Sequence, residues 1–245
     1  MSPKGGQIRL YELLYKQYSR LQFTRVYDRP LAIAGLEQRL IRAFATQGGY
    51  GVFTRYFGRS LLWQRDTSAT PHGMTPIQFP KTQRYQVPSW SWMAYEGAIT
   101  FMDLPFGGVD WEEKEIRSPW SPPSPVLVTS ATFSTHLTSE TTATWYTANS
   151  NERIDLTAIA RDFSASADNL IVYDAGERPK DRTPKCVIVG RQKRAETDDK
   201  RTYYVLVVAG SPGASRHPKY KRIGVGALPG NTITREGSGL KVQVF

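Results

Sequence analysis

Pro88-Ser89-Trp90-Ser91-Trp92 is the stretch around which the rest of the chain arranges itself. Its tryptophans stand at i and i+2, so an extended backbone would turn both rings to one face. Met93-Ala94-Tyr95-Glu96-Gly97-Ala98-Ile99-Thr100-Phe101 follows, and reads as a turn at Glu96-Gly97 leading into a second strand. The expectation is a strand pair over 88–102, with Trp90 and Trp92 as packed anchors.

Ahead of that pair, residues 1–65 read as helical. Ile8, Tyr11, Leu14, Tyr18 and Leu21 recur at three- and four-residue steps, one stripe of an amphipathic helix. Ile33, Leu36, Leu40 and Phe44 mark a second helix. Asp28 is a candidate N-cap that places Pro30 in the first turn; Thr24 as the cap would instead set Pro30 deeper and kink the helix. Gly48-Gly49 is the expected stop. Phe53, Phe57 and Leu61 suggest a third helix over 50–63, which Gly51 and Gly58 weaken.

Behind the pair the pattern is β. Leu127, Thr129, Ala131, Phe133 and Thr135 alternate with Val128, Ser130, Thr132 and Ser134, so a pleated strand fits, and Ile154, Leu156, Ala158 and Ala160 alternate on another. Apolar runs follow at 170–173, 186–189 and 203–209, then a small strand at Ile223 and Val225, and a last one at Leu240, Val242 and Val244. Residues 191–201 read as a charged hairpin loop. Prolines at 71, 76 and 80, and at 119, 122, 123 and 125, make 66–87 and 104–125 loops. The organisation is a helical segment over 1–65, Pro-rich loops around the Trp pair over 66–125, and a β-rich region over 126–245 continuous with the rest. The fold class expected is α+β: a helical N-terminal layer packed on a mainly antiparallel β-rich C-terminal region.

The 245 residues are 40% hydrophobic and 12% aromatic, enough for a real core. The net charge of +10 permits an acidic partner, but the 32 basic residues are spread along the chain. The single cysteine, Cys186, excludes an intrachain disulfide and reads as a small hydrophobe in a buried strand. No apolar leader and no membrane-length apolar run is present, which implies a soluble, cytoplasmic protein.

The sequence offers little chemistry. His72, His136 and His217 are scattered and supply no zinc set. Gly224-Val225-Gly226 with Gly230 lacks the helix that a dinucleotide loop requires, and reads as a turn between strands. Asp110, Glu112, Glu113 and Glu115 read as a solvated charge run without a fixed scaffold. No nucleophile elbow or phosphate loop occurs, so neither an enzyme nor a cofactor is expected. Lys219-Tyr220-Lys221-Arg222, with Arg216, is the best candidate for nucleic-acid contact, though no RNA- or DNA-binding motif accompanies it.

Several pieces together resemble the region downstream of the conserved domain in fungal heterokaryon-incompatibility (HET) proteins. They are Tyr18-Ser19-Arg20-Leu21-Gln22-Phe23-Thr24, Asp28-Arg29, Ala32-Ile33-Ala34-Gly35-Leu36, Tyr50, Leu61-Leu62-Trp63, Pro88-Ser89-Trp90-Ser91-Trp92, and Arg222-Ile223-Gly224-Val225-Gly226. The chain departs from the family at Pro30, at Gly51-Val52-Phe53, and in lacking the family's name-giving half, so it reads as a truncated member. The resemblance implies a non-catalytic regulatory or interaction module in fungal non-self recognition and programmed cell death. Its partners would be proteins, including full-length relatives, and an apolar patch should remain on the helical face. Three alternatives stay open. One is a basic β module binding nucleic acid through Lys219, Lys221 and Arg222. Another is an enzyme whose pocket gathers several of Asp28, His136, Tyr173 and Arg222. The third is a fragment without activity.

Overall fold

A computed structural model describes residues 3–80, 86–120, 154–210 and 219–245. The strand expected at 127–135 lies outside the described residues, as do His136, Arg216 and His217. Helix α1 (Pro3–Ser19) turns Ile8, Tyr11, Tyr15 and Ser19 inward. The stripe is therefore rotated from the one that hydrophobicity suggests. Leu14 and Tyr18 are only half-buried, and Leu21 is 56% exposed beyond the helix end. Ser19 can lie inside because its hydroxyl accepts from Ile99 N–H and donates to Lys16 O.

Helix α2 (Arg29–Ala43) has Asp28 at the N-cap position and Pro30 in its first turn, as expected, but no capping bond comes from the Asp28 carboxylate. Its core face is Ile33, Glu37 and Leu40, with Phe44 next. Glu37 replaces the expected Leu36, and its carboxylate accepts from Gly51 N–H at 2.6 Å. The expected third helix is mostly something else. Gly48-Gly49 does not end α2; it forms β1 (Gly48–Gly49), paired with β2 (Val52–Phe53). The turn between them uses Tyr50 and Gly51 at φ 54° and 81°, the twist that two-residue hairpins favour. Only α3 (Phe57–Leu61) is α-helical.

Strand β3 (Trp63–Arg65) comes next, then β4 (Thr75–Pro76), the one strand among the described residues of the loop expected at 66–87. The Pro-Ser-Trp-Ser-Trp stretch is not a strand. It turns at Ser89-Trp90 and enters a 3-10 turn at Trp92–Ala94, whose N-cap Ser91 hydroxyl accepts from Met93 N–H. Serine hydroxyls compete with strand pairing for backbone groups, and here they win. The tryptophans consequently diverge: Trp90 enters the barrel-side core and Trp92 the helical-side core. The turn at Gly97 is present, with φ 136°, but its arms do not pair with each other. β5 (Tyr95–Glu96) pairs with β4, and β6 (Ile99–Phe101) pairs with β3.

Two short edge strands, β7 (Val109–Trp111) and β8 (Ile116–Arg117), lie in the stretch expected to hold none. They fit because the nearby prolines, Pro105 and Pro119, fall outside both strands. The remaining strands are β9 (Leu156–Arg161), β10 (Ile171–Tyr173), β11 (Pro184–Gln192), β12 (Thr202–Gly210), β13 (Lys219–Pro229) and β14 (Leu240–Val244). β9, β11, β12, β13 and β14 close into a barrel. Every seam is antiparallel except β13–β14, where Lys219 and Tyr220 run parallel to Gln243 and Val244.

β9 and β14 alternate buried and exposed positions, as half-buried strands must. β11 and β12 are buried on both faces, which their continuous apolar runs required. One face (Val187, Val189, Leu206, Val208) fills the barrel; the other (Cys186, Ile188, Val205, Val207) packs beneath β10 and Leu228. β13 is much longer than the small strand expected. Gly224 and Gly226 lie inside it rather than in a turn, where β10 pairs antiparallel alongside. A Cβ on Gly224 would sit 2.5 Å from Val172 O. The architecture is α+β, a helical N-terminal layer on a mostly antiparallel barrel.

Candidate functional site

The residues that carry the family resemblance converge where the helical layer meets the barrel. One node is Arg222, on β13, whose side chain has no exposed surface. Its guanidinium donates to both oxygens of Asp174, from Nε at 3.0 Å and Nη2 at 3.1 Å. It also donates to Leu61 O at 2.9 Å and Trp63 O at 2.5 Å, and its carbon lies 3.1 Å from the centre of the Trp63 ring. The Trp63 indole in turn donates to Trp90 O at 2.9 Å. The Arg222 main chain is held too: its N–H donates to the Ser89 hydroxyl, and the Tyr95 hydroxyl donates to its carbonyl. Ser89 bonds onward to the Phe245 carbonyl. Burial pushes the Asp174 carboxyl up and the Arg222 guanidinium down from their ordinary values, and each charge opposes the other's shift.

The second node is Arg29, at the start of α2. Its guanidinium donates to Tyr95 O at 2.6 Å, Ser19 O at 2.5 Å and Gly97 O at 3.2 Å, and faces the Trp92 ring at 5.3 Å. Burial lowers its pKa to about 10. The Tyr18 hydroxyl donates to Arg29 O, and burial raises Tyr18 to about 12. Tyr95 joins the nodes: its carbonyl serves Arg29 and its hydroxyl serves Arg222. Ser91 donates to Tyr50 O at 2.7 Å, and Trp92 lies against Gly51, where a Cβ would be 2.2 Å from Nε1.

Tyr18, Ser19, Arg29, Tyr50, Trp63, Ser89, Trp90, Ser91, Trp92 and Arg222 thus form one web, with Pro88 buried beside it and Gly224 admitting β10. Thr24 and Gly35 stand exposed, and Asp28 is half-buried; none of the three enters it. Sequence reasoning missed Asp174 and Tyr95. Tyr95 lies within the quoted stretch 93–101 and Asp174 directly follows the 170–173 run; only the fold shows them to be partners.

This web ties the helical layer to the barrel. Arg222 is buried against Asp174, and Arg29 is buried against main-chain carbonyls. Among the described residues no group of His, Cys, Asp and Glu could hold a metal ion. Of the residues of the enzyme alternative, His136 lies outside the described residues; the Tyr173 hydroxyl donates to Asp168 at 2.7 Å, Asp28 sits at the head of α2, and Arg222 is paired with Asp174. An open depression of about 710 Å³ over Glu177–Thr183 is lined by none of the web residues. The acidic run is better fixed than expected, since Glu115 binds Arg161 through both oxygens, at 2.5 and 3.1 Å. Arg222 cannot contact nucleic acid, because it is buried. Of that basic patch, Lys219 and Lys221 are exposed, the latter over the Phe245 ring at 5.3 Å.

The fold and its junction thus define an α+β protein whose most distinctive side chains serve its architecture. No family model, curated protein or solved structure matches the chain. No helix among the described residues is long and apolar enough to cross a membrane.

Proposed function

We propose that the chain is a non-catalytic interaction module of the heterokaryon-incompatibility type. It acts in the cytoplasm, by contact with other proteins, in fungal non-self recognition and programmed cell death. One observation carries this reading. The side chains that match the family are used inside the fold, while Leu10, Leu13, Leu21 and Leu31 on the helical layer are 46–56% exposed. Single exposed apolar residues are ordinary on a surface; four half-exposed leucines on the helical segment support a contact role there.

The test mixes the purified chain with isolated HET domains of fungal proteins on a sizing column. The reading expects a discrete complex that Leu10→Glu together with Leu31→Glu dissolves without lowering the melting temperature. A panel of HET domains that all elute separately from the chain would overturn it.

A further inference from the structure

Basic residues are spread along the chain, but acidic ones are not. Residues 1–65 hold eleven Lys and Arg against three Asp and Glu, a net +8 of the chain's +10. Not all of this charge faces outward: Arg29, Arg59 and Arg65 are buried and Arg20 pairs with Asp66. The three acids in turn add little outward negative charge. Glu37 is buried, Glu12 lies 3.6 Å from Arg59, and Asp28 is half-buried. Helix periodicity sorts what remains. The outward face of α1 carries Arg9, Leu10 and Leu13, opposite the buried Tyr11 and Tyr15. The outward face of α2 carries Leu31, Arg39 and Arg42, with open space over Gly35 between them. Among the described residues neither Arg39 nor Arg42 makes an ion pair; Arg9 interacts with the Glu12 carboxylate, and its guanidinium lies over the Phe106 ring at 5.3 Å.

We propose that these leucine-and-arginine faces dock an acidic protein surface, one that presents carboxylates around an apolar strip. This rests on the interaction-module reading above and names the chemistry of its partner. Charge complementarity selects the sign, and it disfavours a second copy of this chain, whose matching face is also cationic. The choice between protein and lipid comes from residue type. The cations on these two faces, Arg9, Arg39 and Arg42, are all arginine. An anionic bilayer attracts lysine and arginine alike. Arginine's planar fork is suited to paired hydrogen bonds with carboxylates, and arginine is enriched at protein interfaces where lysine is depleted.

The experiment titrates the full chain with three probes: an amphipathic Leu/Glu helical peptide, its Leu/Gln counterpart, and vesicles of phosphatidylcholine and phosphatidylserine. The proposal expects the Leu/Glu peptide to bind at least about tenfold more tightly than the Leu/Gln peptide, and binding to weaken with salt. Arg39→Lys with Arg42→Lys should weaken it by roughly tenfold, because lysine keeps the charge but not the fork. Leu10→Ser with Leu13→Ser should weaken it similarly, whereas Lys219→Gln with Lys221→Gln should leave it unchanged. Equal binding of both peptides, indifference to Arg→Lys, or vesicle binding tighter than peptide binding would each overturn the proposal. If a HET domain binds yet the Arg→Lys variant is unaffected, the interaction reading stands and its acidic chemistry falls. If no HET domain binds and the Leu/Glu peptide still does, the reverse holds.

Discussion

Replacing Asp174 by Asn should be among the most damaging conservative changes in this protein. The substitution keeps volume and removes one charge, leaving the Arg222 guanidinium fully buried without its counter-ion. Breaking a buried pair from one side costs about 3–5 kcal/mol, because the remaining charge has lost its compensation. Against a total stability of about 5–15 kcal/mol that is a large share. At roughly 2–4 °C per kcal/mol for a chain of this size, the melting temperature should fall by about 6–20 °C. The measurement is urea unfolding at neutral pH followed by tryptophan fluorescence, with Arg222→Met and the double variant Arg222→Met/Asp174→Asn alongside. Removing both charges deletes the penalty as well as the attraction. The double variant should therefore lose far less than the sum of the Asn and Met variants, its residual loss coming from the Leu61 and Trp63 carbonyls that Arg222 serves. An Asp174→Asn cost below about 1 kcal/mol, or an additive double variant, would refute the claim that an ionised pair holds the junction.

Gly51→Ala forces a side chain onto φ 81° and against the Trp92 indole, and should cost about 2–4 kcal/mol by thermal melt. Gly35→Ala, in open space on α2, should instead stabilise by about 0.5–1 kcal/mol. Cys186 is fully buried, with its thiol pushed up to about 12, so a disulfide reagent should label it only as fast as the chain unfolds; prompt labelling of the native protein would contradict its position. Asp66 is held down at about 2 by hydrogen bonds from the Ser68 hydroxyl, Arg20 and the backbone N–H groups of Ala69 and Ser68. A carboxylate lowered on folding stabilises above its unfolded value of about 4, and the contribution fades as pH falls toward 2. Comparing Asp66→Asn with the parent should therefore show a difference of about 1–2 kcal/mol at pH 6 that shrinks below pH 4.

The sequence reading succeeded where pattern and burial agree. The alternation at 156–160 and 240–244 became half-buried strands, and the apolar runs at 186–189 and 203–209 became strands covered on both sides. It failed where polar groups take core positions. Hydrophobicity cannot choose Ser19 over Leu21, or Glu37 over Leu36, because the reason for each is a hydrogen bond to a backbone group far along the chain: Ile99 N–H for Ser19, Gly51 N–H for Glu37. The Pro-Ser-Trp-Ser-Trp stretch misled for the same cause. Two aromatics at i and i+2 suggest one face, but Ser89 and Ser91 bend the chain and send the rings into different cores. Charge was legible and under-read: counting basic residues alone hid the excess in 1–65 that appears once the acidic ones are placed. Asp174 gave no signal at all, since a carboxylate after an apolar run looks like the start of a turn until β10 is laid across β13.

The most direct test of the functional account is hydroxyl-radical footprinting of the whole chain, free and bound to a fungal HET domain. The account predicts protection concentrated on Leu10, Leu13 and Leu31, with Tyr173 and Lys221 unchanged. Protection on the barrel with the helical leucines still labelled would contradict it.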